Sequence, residues 1–136
     1  MNRSNENKLP FPRPPIWDLL GIEVVEMGRG YSKLIMPFSE KLTQPYGLVH
    51  GGAIFTLADS AVAVSIASLV KPDKKFVTIE MKINFLEPVK KGIIEAKAIV
   101  LRKGRIMPAE VDIINDGELV AKAIATYIIL DEKKGF

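Results

Sequence analysis

The sequence predicts an α+β domain in which an antiparallel sheet of five to six strands wraps around one long central α-helix. Three observations carry this expectation. Residues 52–70, GAIFTLADSAVAVSIASLV, hold a single charged residue and no breaker past their start, which reads as a buried helix. Residues 78–85 alternate, with Ile79, Met81, Ile83 and Phe85 on one side and Thr78, Glu80, Lys82 and Asn84 on the other, the period of a half-buried antiparallel strand. Runs at 93–102, 106–115 and 118–130, separated by Gly104 and by Asn115-Asp116-Gly117, supply further strands.

The polar start and Pro10, Pro12, Pro14 and Pro15 predict a flexible, extended arm over 1–15. A single domain is expected over 16–130 and a solvated tail over 131–136. Pro15 suits the first turn of a short helix through Ile16, Trp17, Asp18, Leu19 and Leu20, and Gly21 suits its end. Runs at 22–27 and 31–37 flank Gly28-Arg29-Gly30 and read as a hairpin. A glycine- and proline-punctuated loop then leads to the long helix. Pro108 inside a strand run implies an edge position or a bulge there. A one-sided sheet must cover the apolar helix to form a core, and Ala53, Ala58, Ala61, Ala63 and Ala67 allow close approach on nearly every side. A sheet curled around a helix in this way is the hotdog arrangement.

Composition narrows the chemistry. The 136 residues suffice for one core, and the absence of cysteine excludes disulfides, thiolate metal sites and a cysteine nucleophile. His50 is the only histidine, so no multi-histidine metal site is expected, and no organic cofactor is implied. Nineteen basic against sixteen acidic residues give a charge of +3, too mild and dispersed for a nucleic-acid surface. The helix at 52–70 is long enough to span a bilayer, but Asp59 near its middle would cost roughly 2.5–3.5 kcal/mol there, so no membrane partner is expected. The polar first residues lack the apolar stretch of a signal peptide, and the expected location is the cytoplasm.

The most informative segment runs from Gln44 through His50-Gly51-Gly52 to Asp59. Glycines let a backbone approach a ligand closely, and the first N–H groups of a helix have no internal partner, so they suit a carbonyl oxygen gaining negative charge. Asp59 offers a carboxylate to orient or deprotonate water, or to attack directly. Gly51 and Asp59 lie eight residues apart, about 12 Å along a helix and on different faces. One chain cannot readily aim both at one carbonyl, whereas a homodimer with antiparallel helices could.

The His50-Gly51-Gly52 triplet, Asp59 nine residues after the histidine, the strand FVTIEMKINFLEP and the later RKGR resemble the phenylacetic-acid-degradation type of hotdog acyl-CoA thioesterases. The match covers nearly everything from Trp17 to Ile129. The resemblance implies that the Gly51 amide polarises a thioester carbonyl and that Asp59 is general base or nucleophile. Relatives often carry asparagine where this chain has Gln44, which holds water or the carbonyl there; glutamine moves that amide by a methylene. Thr78 falls where a serine or threonine assists the water, and simple alternation places it on the polar face of its strand. The substrate would be a small-molecule acyl-CoA, with Gly52 beside it, and relatives commonly assemble as dimers paired into tetramers.

Blander readings stand beside these. Asp59 could be a purely structural, paired carboxylate. His50 could transfer protons, or simply bond the loop and fix the glycine backbone. Arg102, Lys103 and Arg105 around Gly104 fit either CoA phosphates or a solvated hairpin turn. Hydrolysis of an acyl-CoA or acyl-carrier thioester leads. Hydration or dehydration by a histidine–carboxylate pair, and non-catalytic acyl-CoA binding, remain open on the same fold.

Overall fold

The computed structural model describes residues 9–130, so the first eight residues and the expected tail lie outside the described part. The elements run α1 (Pro15–Leu20), β1 (Glu23–Gly28), β2 (Tyr31–Pro37), a short 3-10 turn (Glu40–Leu42), α2 (Gly51–Ala67), β3 (Phe76–Phe85), β4 (Ile93–Val100), β5 (Ile106–Asn115) and β6 (Glu118–Ile129). All six strands join one antiparallel sheet in the order β1-β2-β4-β5-β6-β3. The chain leaves β2, runs through α2 and lands at the far edge as β3 before β4 returns beside β2. Helix α2 therefore lies across the sheet, packed against β2, β4 and β5.

Local sequence accounts for the main boundaries. Gly21, in the left-handed region at φ 78°, ends α1, and its N–H donates to the Trp17 carbonyl at 2.8 Å. Asp116 and Gly117, at φ 51° and 79°, form the tight β5–β6 turn, where a twist matched to the strands needs two positive φ values. Helix α2 begins at Gly51 and stops at Ala67, three residues short of the expected end. Ser68 is its C-cap; its hydroxyl donates to the Ser65 carbonyl and accepts from the Gly30 N–H, both at 2.7 Å.

The core forms between α2 and the inward rows of the strands. Leu57, Ala61, Val62 and Ile66 are fully buried against Leu34 and Met36 of β2, Ile94 and Ala96 of β4, and Ala109, Val111 and Ile113 of β5. Each large side chain buried this way stabilises the fold by roughly 1.5–3 kcal/mol. A buried hydroxyl pair ties the layers together. Ser32 Oγ donates to the Ala61 carbonyl at 2.7 Å, and Ser65 Oγ lies 2.9 Å from Ser32 Oγ. The α2 stripe of Gly52, Phe55, Thr56, Asp59 and Ala63 is incompletely covered, so the helix is not enclosed on every side as its composition suggested. Among the described residues no helix is long and apolar enough to cross a membrane.

Three expectations need correction. Pro108 lies in an interior strand, not at the sheet edge, and its pairing with Thr126 is regular. Its carbonyl accepts from the Leu101 N–H on the β4 side, so its missing N–H faces a place where the β4 ladder has already ended at Val100–Ala109. The part of the proline-rich stretch that is described is packed: Leu9 and Phe11 lie against the core, and the Arg13 side chain donates to Asp18, Glu23 and the Ile22 carbonyl. Finally, β3 is an edge strand with a bulge between Thr78 and Glu80. The extra residue, Ile79, breaks the alternation, so Thr78 pairs with inward-facing Tyr127 while Glu80 pairs with outward-facing Thr126. Thr78 thus faces the helix and not the polar side.

Candidate active site

The start of α2 explains its glycines. His50 caps the helix in an extended conformation, with φ −62° and ψ 134°, and its Nδ1 accepts from the Gly52 N–H at 2.8 Å. A Cβ on Gly52 would sit 3.0 Å from that nitrogen, and a Cβ on Gly51 would sit 3.0 Å from Phe85 Cζ. Each glycine is therefore where a neighbouring ring needs the space. The Gly52 amide is engaged by His50 and is not available to a ligand as the sequence suggested. The Gly51 amide, first in the helix, has no intrahelical acceptor. Gln44 Oε1 accepts from the Tyr46 N–H at 2.6 Å and the Leu48 N–H at 3.3 Å, holding the loop that leads to the helix. Gln44 and Gly51 line one hollow of about 370 Å³, with Phe85 and Val89 among its walls.

Asp59 is held from the sheet. Thr78 Oγ1 donates to Asp59 Oδ1 at 2.8 Å and the Tyr127 hydroxyl lies 2.7 Å from the same oxygen. That hydroxyl is also 3.0 Å from the Asp59 carbonyl, so one phenol grips both backbone and side chain. Two neutral donors on one oxygen fix the orientation of the carboxylate. Oδ2 has no hydrogen bond from the described residues. Asp59 lines a second hollow of about 400 Å³, together with Phe11, Trp17, Phe55 and Tyr127, and this hollow shares no lining residue with the first. The structure thus brings Gln44 to Gly51 and Thr78 to Asp59, but one chain does not bring the two pairs to a common point.

Tyr127 was not singled out from the sequence. The available signal was its place at the end of an inward row of Ala121, Ala123 and Ala125, where a lone large polar-tipped residue needs a partner. Burial first, then the Asp59 charge, push the phenol well above its ordinary value of 10.0. The folded chain keeps a proton that the unfolded chain loses near that pH, so this stability is present below it and is lost as pH rises further. In thermal melts between about pH 8 and 11, wild type should lose stability faster on the alkaline limb than Tyr127→Phe. Parallel limbs would contradict the arrangement.

Arg102, Lys103, Gly104 and Arg105 are exposed in the β4–β5 connection. Lys103, Gly104 and Arg105 line a hollow of about 670 Å³ with Lys71 and Lys74, next to the end of α2 opposite Gly51. Seventeen helical residues, about 25 Å, separate those ends.

Comparison with known families matches residues 46–122 to the Thioesterase superfamily. A candidate esterase of Saccharolobus solfataricus is 36% identical over 119 residues, covering 86% of this chain and 79% of that protein. The 1,4-dihydroxy-2-naphthoyl-CoA hydrolase of Listeria monocytogenes is 30% identical over 88 residues, 65% of this chain and 72% of that enzyme. The crystal structure of a thioesterase family protein from Silicibacter pomeroyi superposes with a TM-score of 0.84 at 30% identity, covering 94% of this chain and 96% of that one.

Proposed function

Because the chain belongs to the thioesterase superfamily, we propose that it hydrolyses an acyl-CoA thioester to free acid and thiol, with Asp59 as general base or nucleophile. The observation that carries this reading is the Asp59 carboxylate, held through Oδ1 by Thr78 and Tyr127 beside an open hollow. In the general-base route, Asp59 takes a proton from water as the water oxygen bonds to the carbonyl carbon. The oxyanion is received by the Gly51 amide of a second protomer, since the two groups open into different hollows within one chain. Collapse breaks the C–S bond, and the departing thiolate takes up the proton.

The active species in this reading is a homodimer, alone or paired into a tetramer, with the uncovered α2 stripe at the interface. CoA as the thiol is supported by the Listeria relative, whose name specifies a CoA substrate. Arg102, Lys103 and Arg105 are assigned to its phosphates through charge-assisted hydrogen bonds. His50 caps α2 through Nδ1, and this structural use favours hydrolysis over a histidine–carboxylate hydratase.

The test is free-thiol release from a panel of short, medium, long-chain and aryl acyl-CoAs. Turnover on part of the panel is the expected result. Tight binding with no turnover on any member would replace hydrolysis with acyl-CoA sequestration.

A further inference from the structure

A fourth hollow, of about 750 Å³, adjoins the Asp59 site and shares Phe11, Ala63 and Tyr127 with it. Its walls are mainly apolar, including Pro10, Phe76 and Val77, with the exposed turn of Asp73 and Lys75 beside them. Thr78 and Tyr127, the two partners of the Asp59 carboxylate, also line it.

Phe11 stands where the two hollows meet. Its ring packs edge-on against Trp17 at 6.4 Å and against Phe76 at 6.2 Å, and Phe76 continues the row to Tyr127 at 6.1 Å. The segment carrying Phe11 is anchored two residues later. Arg13 donates to Asp18 at 2.8 Å and to the Ile22 carbonyl at 2.7 Å, and lies 5.6 Å from the centre of the Trp17 ring. The ring is thus held by an ion pair and by aromatic neighbours, not merely resting on the surface.

We infer that the larger hollow receives the hydrophobic acyl group of the substrate and that Phe11, from the proline-rich N-terminal segment, sets how long an acyl chain it admits. This rests on the reading of Asp59 as the reactive carboxylate. A carbonyl carbon placed at Asp59 has its acyl substituent next to Thr78 and Tyr127, at the wall of an apolar space that offers a chain burial but few hydrogen bonds. Phe11 narrows the junction from the N-terminal segment, and Ala63 leaves room there from α2.

The experiment uses two probe series on the full chain, wild type, Phe11→Ala and Ala63→Leu. The first is kcat/KM for straight-chain acyl-CoAs from acetyl to palmitoyl. The second is the Kd of non-hydrolysable S-alkyl-CoA thioethers of matching length, read from the fluorescence of Trp17, the only tryptophan. In Phe11→Ala the gain per added methylene should persist beyond the wild-type optimum, at about fourfold per buried methylene. Ala63→Leu should move the optimum to shorter chains, which keeps the test valid if Phe11→Ala fails to fold. Hydrolysis with the same chain-length profile in all three proteins overturns this inference and leaves the hydrolase reading standing. Shifted thioether binding without hydrolysis of any thioester keeps the acyl pocket and overturns the hydrolase reading instead.

Discussion

An Asp59→Asn variant should fold as wild type does and lose about 10²–10⁴-fold in kcat, the range a positioned general acid–base group contributes. Asparagine keeps an oxygen for the Thr78 and Tyr127 hydroxyls, so the interactions that tie α2 to β3 and β6 survive while the proton acceptor is lost. Thiol release under saturating acyl-CoA, beside a thermal melt, measures both effects. Retained turnover would remove Asp59 from the chemistry altogether. A single turnover of wild type in ¹⁸O-water then separates the two roles of the carboxylate. Direct attack makes an anhydride, and water attacking its aspartyl carbonyl leaves the label in Asp59, whereas base catalysis can put it only in the released acid.

The second large effect is expected from Gly51→Pro, which deletes one N–H with little change to the backbone. Proline is favoured at the first helical position, and the extended His50, at ψ 134°, is what a residue before proline requires. The Phe85 ring must move from its 3.0 Å approach, and at 53% exposure it has space to do so. Loss of an oxyanion donor should lower kcat by about 10²–10³-fold. Mixing the two inactive variants carries the argument further. When Asp59→Asn and Gly51→Pro protomers are unfolded and refolded together, each mixed dimer holds one site with both groups intact. Random pairing at equal concentrations should restore about a quarter of wild-type activity. Activity that stays at the level of the separate variants would show that both groups serve one site within a single chain.

Much of the fold was legible because its signals are local. The helix announced itself by an apolar run that no loop would carry, and the β5–β6 hairpin by Asn115-Asp116-Gly117, whose turn needs the positive φ values that Asp116 and Gly117 adopt. Strand order was not legible, since the placing of β3 beside β6 depends on contacts between distant segments. Pro108 misled because a proline's missing donor matters only where a neighbour exists to receive it, and the end of β4 is a property of another strand. The site was half legible. Gly51, Asp59 and His50 sit in one contiguous motif, whereas Tyr127 reaches Asp59 across 68 positions and carries no local mark. The N-terminal segment looked like an arm because its prolines are visible in sequence, while its anchors, Trp17, Glu23 and Phe76, come from three separate elements.

The extra residue in β3 bears on how this chain is compared with its relatives. Ile79 inverts strand parity: inward positions are 81 and 83 after it, but 78 before it. Removing that one residue would restore plain alternation and still leave a threonine facing the carboxylate. Deletion of Ile79 should therefore leave the Thr78–Asp59 contact in place. A one-residue gap placed before position 78 would instead assign the hydroxyl to the wrong column, and the apolar pattern downstream would give no warning.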